Sequence, residues 1–173
     1  MIVEVNKDIK YVTYLREGVP FDSSKIVIDL NNKHNGCLFK PDRGFWGSPV
    51  DARYGWKEWC ENEYFGNYDF NNPVYWTLTS GKILQVNWDE VENKETSNLT
   101  KYVKPIYVTP VMIGDYCLYS VLDWGKMLED GIVAVQLMNS IIGHCFKYDL
   151  EERFNAWDCE SIVVLDKSRL NFI

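Results

Sequence analysis

The apolar runs of this chain are short, and turn chemistry closes each of them. IKYVTYLR (residues 9–16), SKIVIDL (24–30), PVYWTLT from Pro73, KILQVN from Lys82, IVAVQL from Ile132 and SIVVLD (161–166) are rich in β-branched or aromatic residues over eight positions at most. Runs of that length and type predict strands. Helical patterns fall between them irregularly, which argues for an α+β fold with mixed, mostly antiparallel sheets and a few helices rather than a doubly wound parallel sheet. With 173 residues, and neither a Pro/Gly/Ser-rich linker nor an internal repeat, one domain over residues 1–173 is expected.

The clearest helix start is Ser48-Pro49-Val50-Asp51, with a hydroxyl at the N-cap, proline at the first helical position and a carboxylate at the third. Ala52, Trp56 and Trp59 follow at helical spacing, so the pattern predicts a helix over residues 49–64. Ser80-Gly81 reads as a hairpin turn between the runs on either side of it. Residues 88–104 are polar and read as helix or loop, and PIYVTPVMI, interrupted by Pro110, as an edge strand at best. Further helices are expected over 118–129, where Asp130-Gly131 ends the pattern, and over 150–157; the final strand, 161–166, is expected in the sheet interior.

Charge narrows the function classes. The chain carries a net −7, divided between +2 over residues 1–57 and −9 over residues 58–173. A long phosphate backbone is bound by neutralising it with lysine and arginine, so extended nucleic-acid binding is not expected, whereas the first third suits a small anion. Arg16, Lys40 and Arg43 flank the segments there that lead into GFWGS. Five cysteines without a CxxC pair, and two histidines outside any HxxxH or HExxH pattern, predict reduced thiols and no metal site. No apolar run approaches a membrane span, and MIVEVNKDIK lacks the hydrophobic block of a signal peptide, so no membrane partner and a cytoplasmic location are expected. P-loop, dinucleotide-fold and nucleophile-elbow motifs are missing from the sequence.

Aromatic residues make up 15% of the chain and concentrate over residues 45–59 and 64–76. Rings fill a small core efficiently, and they also stack on planar heterocycles. Within the first cluster, GFWGSPVDARYGWKEWC (residues 44–60) resembles the Gly-aromatic-aromatic-x-Ser/Thr stretch and following helix of ADP-ribosyltransferase-like domains, particularly those of phage and bacterial polyvalent toxin proteins. SIVVLDKSRL is similar to the closing strand of those domains, and KPDRGFWGSPVDARYGW also resembles a set of small uncharacterised phage proteins.

That resemblance implies a single ADP-ribosyltransferase-like domain that uses NAD as substrate and transfers ADP-ribose to a protein or nucleic-acid acceptor. It implies that Arg16, or Tyr14 on the same strand face, contacts the nucleotide, that Phe45, Trp46 and Ser48 shape the nicotinamide pocket, and that Tyr54 lines it from the helix. Glu160 is implied as the carboxylate that favours the oxocarbenium-like state while nicotinamide leaves. Aligned on VVLD, however, Ser161 takes the carboxylate's position, and an offset of one residue turns a strand side chain to the opposite face. Either a bulge returns Glu160 to the pocket, or the fold is kept without the transfer chemistry, as in an acidic interaction or inhibitor protein.

Overall fold

The computed structural model describes residues 1–31, 39–93, 95–108, 117–139, 154 and 157–173. Among these residues the strands are β1 (Ile2–Glu4), β2 (Tyr11–Thr13), β3 (Phe45–Pro49), β4 (Val74–Leu78), β5 (Lys82–Val86), β6 (Val103–Val108), β7 (Cys117–Leu122), β8 (Ile132–Leu137), β9 (Ser161–Val164) and β10 (Leu170–Phe172). The α-helices are α1 (Trp56–Glu63), α2 (Trp88–Glu92) and α3 (Trp124–Glu129). Eight strands form one sheet in the order β1-β5-β8-β9-β3-β2-β4-β10, and β6 and β7 pair separately. Only β5 and β8 run parallel in the large sheet, and α2, the β6–β7 pair and α3 lie on the crossover between them. The result is a mixed α+β domain built on a large, mostly antiparallel sheet. None of its described helices is long and apolar enough to cross a membrane.

Two apolar clusters, one on each face, explain why IVAVQL and SIVV lack polar alternation. Leu84, Val135 and Val163 join Trp124, Met127 and Trp157 on the first face. Ile83, Val133 and Ile162 pack on the second with Tyr11, Phe45, Trp76 and Leu78. A strand covered on both sides needs apolar residues at every position. Accordingly β8 and β9 are buried throughout, and β9 is interior, between β8 and β3, as its sequence predicts.

The second cluster also shows that the sheet folds over on itself. Ile83 in β5 and Trp76 in β4 share a cluster although four strands separate β5 from β4 in the order. Strand β3 makes the corner: Phe45, Trp46 and Gly47 pair with β9, while Ser48 and Pro49 pair with β2. This geometry replaces the expected hairpin at Ser80-Gly81. Leu78 pairs with Leu170 and Lys82 with Glu4, so the turn carries the chain from one half of the folded sheet to the other, with Gly81 at φ +106°.

Two helix expectations are corrected. Residues 48–50 are held against β2 and the residue before it, where Ser48 pairs with Val12 and the Val50 N–H donates to the Lys10 carbonyl at 3.0 Å, so α1 begins only at Trp56. The predicted helix over 118–129 is instead β7 followed by α3; β6 pairs with β7 up to Leu122, and Asp123 starts the helix by accepting the Lys126 N–H at 3.2 Å. Asp130-Gly131 does end α3, with Gly131 at φ +82°. The 9–16 run forms a ladder only over Tyr11–Thr13, and the 24–30 run only a short 3-10 turn and one bridge, Asp29 to Arg43. Apart from Phe154 and Trp157, the helix expected over 150–157 lies outside the described residues, as do His34 and His144.

One buried carboxylate ties the first residue to the loop after α2. Glu90 accepts from Ser97 Oγ at 2.8 Å, Asn98 Nδ2 at 3.0 Å and the Leu99 N–H at 3.0 Å, and it pairs with the Met1 ammonium. Burial by itself raises a carboxylate pKa, but these donors outweigh it and hold Glu90 at about 2. Because this lies below the ordinary 4.5, the stability it contributes is full above about pH 4.5 and is lost as pH falls toward 2. Glu90→Gln is expected to cost about 2 kcal/mol at pH 7 by urea denaturation, with the gap from the parent shrinking at pH 3.

Candidate functional site

The corner in β3 opens a cleft. Strand β2 pairs with β3 only through Val12 and Tyr11, and beyond Thr13 the chain turns away to residues 67–69: Arg16 bridges Tyr68, the Glu17 N–H donates to the Asn67 carbonyl, and the Asp69 N–H to the Leu15 carbonyl. At the point of divergence the Thr13 hydroxyl donates to the Trp46 carbonyl at 2.6 Å and accepts from the Trp76 indole N–H at 2.9 Å. Gly47 lets the strands meet there, since a Cβ on it would stand 2.8 Å from both Trp76 Cζ2 and the Val12 carbonyl oxygen.

The cleft encloses about 360 Å³. Its wall holds the rings of Tyr14, Trp46, Trp56, Tyr68 and Trp157, with Lys40, Asp158, Cys159 and Ser161 among them. The rings are fixed by one another: Trp46 meets Trp157 edge-on at 4.6 Å, Trp56 meets Tyr68 edge-on at 5.5 Å, and the Trp157 indole N–H donates to the Phe39 carbonyl at 2.8 Å. Lys40 Nζ stands over the Trp46 ring, 5.0 Å from its centroid. Burial lowers the Lys40 pKa, and the charge of Asp158 works against that change. Burial raises the Asp158 pKa, while Lys40 pulls it back and Glu63 adds to the rise. Burial and then Asp158 push the Cys159 thiol up to about 12, which favours its protonated form.

Several residues singled out in the sequence meet at this cleft, and others do not. Tyr14, Phe45 and Trp46 line it, although Phe45 also packs into the core against Trp76 at 5.3 Å. Ser48 is buried behind the wall, where its Oγ accepts the Trp56 N–H at 3.0 Å and so caps α1 from eight residues away. Glu58 completes that cap by accepting the Gly55 N–H at 3.0 Å. Arg16 and Arg43 are exposed and outside the lining, yet the antiparallel register of β2 and β3 puts both at the end where the strands part. Tyr54 stays outside the lining; its carbonyl accepts the Glu160 N–H at 2.9 Å, and its phenol oxygen accepts from Asn62 Nδ2 at 3.3 Å.

Glu160 is also outside the lining, and its neighbours Cys159 and Ser161 occupy the wall. Its carboxylate accepts from Gln136 Nε2 at 3.3 Å, and Gln136 in turn accepts from Gln85 Nε2 at 3.3 Å. Gln136 pairs with Ile162, which packs in the cluster on the second face, so Glu160 belongs to the side of the sheet away from the cleft. Burial raises its pKa, Gln136 opposes the rise and Asp51 adds to it. The sequence marked Ser161 through its alignment with the pocket carboxylate, but it did not mark Trp56, Tyr68, Trp157 or Cys159 as cleft residues. For Trp157 and Cys159 the available signal was their position just before the interior strand SIVV.

Three outcomes follow from this geometry. Gly47→Ala is expected to destabilise the fold by about 2 kcal/mol in chemical denaturation, through the contact with Trp76. Ser48→Ala removes the acceptor for Trp56 and is expected to cost about 1 kcal/mol, read by the same method together with loss of helical circular dichroism. Glu160 has a pKa raised by folding, so the folded state holds its proton more tightly and this carboxyl subtracts stability as pH rises through that range. Glu160→Gln is therefore expected to melt higher than the parent at pH 8, with the difference vanishing near pH 4. No protein-family model, curated protein or solved structure matches the chain.

Proposed function

We propose that the protein binds a nucleotide of the NAD type in this cleft and transfers ADP-ribose to a macromolecular acceptor. The observation that carries the binding is the wall itself: six rings, Phe45 among them, around about 360 Å³, with the Lys40 cation and the Asp158 carboxylate in the same wall. A space of this size suits one flat ring and its ribose rather than a whole dinucleotide. The phosphates then lie toward the end where β2 and β3 part, where Arg16 and Arg43 supply positive charge.

In transfer, the bond between the nicotinamide nitrogen and the ribose breaks and its electron pair goes to the ring, which becomes neutral. Positive charge builds on the ribose until an acceptor nucleophile forms the new bond and gives up its proton. A fixed carboxylate beside that charge lowers the barrier. Asp158 is the carboxylate of the lining, so the role that the family resemblance implies for Glu160 is proposed for Asp158. Lys40 helps to keep it ionised against its burial.

A second reading, an acidic interaction protein without turnover, is supported by Glu160 turning its side chain to Gln136 on the far side of the sheet. Titration with NAD separates the two. Calorimetry and quenching of tryptophan fluorescence are expected to show NAD binding that Trp46→Ala weakens by about tenfold, the scale of one lost stacking partner. Nicotinamide release is expected to be lost in Asp158→Asn and retained in Glu160→Gln. Absence of NAD binding at millimolar concentration would overturn both the ligand and the activity; binding without release would leave the second reading.

A further inference from the structure

Seven aromatic residues, five carboxylates and two cations fall within residues 51–70, and only part of this set belongs to the cleft. From Trp56 on the wall a chain of ring contacts leads outward. Trp56 stacks on Trp59 at 4.9 Å, and Trp59 meets Phe65 at 4.8 Å. Phe65 is 47% exposed, and Tyr64 beside it is 95% exposed. Tyr64 ends α1 in the left-handed conformation, at φ 52°, a place usually taken by glycine or asparagine. A large ring there gains nothing from burial.

The charges around these rings are mostly of one sign. Glu61 and Glu63 are exposed on the same helix, and Lys57 pairs with Glu61 at 4.0 Å. Their field reaches the cleft mouth, where Glu58 and Glu61 act on Tyr14 and Glu63 on Asp158. Ring faces carry partial negative charge and carboxylates a full one, so the chemistry complementary to both is cationic and partly apolar, which describes arginine best. Rings alone would suit single-stranded nucleic acid equally well, but the phosphates would meet Glu61 and Glu63.

We propose that Trp59, Tyr64 and Phe65, with the exposed Glu61 and Glu63 of α1, form a docking surface for an arginine-rich segment of a partner protein. None of the three rings lines the cleft, although Trp59 stacks on Trp56 of its wall. The test is fluorescence anisotropy with a labelled octa-arginine peptide, with octa-glutamate and a dT20 oligonucleotide as comparisons. Octa-arginine is expected to bind best, and more weakly as salt increases. Tyr64→Asn keeps the net charge and the left-handed turn, and is expected to weaken binding by about threefold, the order of one exposed cation–π contact. Glu61→Gln with Glu63→Gln is expected to weaken it further and to flatten the salt dependence, with an unchanged melting temperature in either variant. Octa-arginine binding that Tyr64→Asn leaves intact, no octa-arginine binding, or tighter binding of dT20 would each overturn the proposal.

Discussion

Strand β3 has to serve two halves of a folded sheet, and the rest of the molecule is arranged around that demand. Its first three residues pair with β9 and its last two with β2, so the corner falls at Gly47 and Ser48. At that corner the Thr13 side chain joins the Trp46 carbonyl to the Trp76 indole, and Gly47 leaves room for the Trp76 ring. Had β2 stayed paired along the whole of β3, backbone would occupy the space now enclosed by Tyr14, Trp46 and Trp56. The cleft is therefore a product of the corner, and the residues that hold the corner shape it without lining its centre.

The three carboxylates Glu90, Glu160 and Asp158 show how environment divides residues of one chemical type. Glu90 is buried among the Ser97 hydroxyl, the Asn98 amide, the Leu99 N–H and the Met1 ammonium, which together favour its charge and make it a structural clamp. Glu160 is buried with one side-chain amide as donor, and its charge is disfavoured. Asp158 stands at the cleft, where burial and Lys40 act in opposite directions.

The acidic balance of residues 58–173 reaches the same part of the molecule by another route. Helix α1 carries Glu58, Glu61 and Glu63, and with the turn that follows it extends the aromatic wall outward. Inside the cleft the chemistry is rings with one lysine and one aspartate; outside it is rings with carboxylates. An anionic ligand at the parted strands and a cationic segment on α1 would thus occupy neighbouring surfaces of opposite preference.

Much of the element content was legible in the sequence. IVAVQL and SIVV read as buried strands because both faces are covered, and the stop at Asp130-Gly131 followed from turn chemistry alone. Ser48 was identified as a helix cap, which it is, but the helix it caps starts eight residues later, because pairing with Val12 holds Ser48 in a strand. Local signals rank what a segment prefers, and they cannot say which preference a distant strand will override. The turn at Ser80-Gly81 shows the same limit: two strands joined by a short turn normally pair, yet here each side found partners in a different half of the sheet. For the site, the sequence determined the aromatic supply, and strand alternation set Glu160 and Ser161 against each other; which of the two faces the cleft was decided by the tertiary structure. Only the tertiary structure brought Trp157 and Asp158 to Tyr14, Lys40 and Trp46, because more than a hundred residues separate the two groups along the chain and only the path of β9 beside β3 closes that distance.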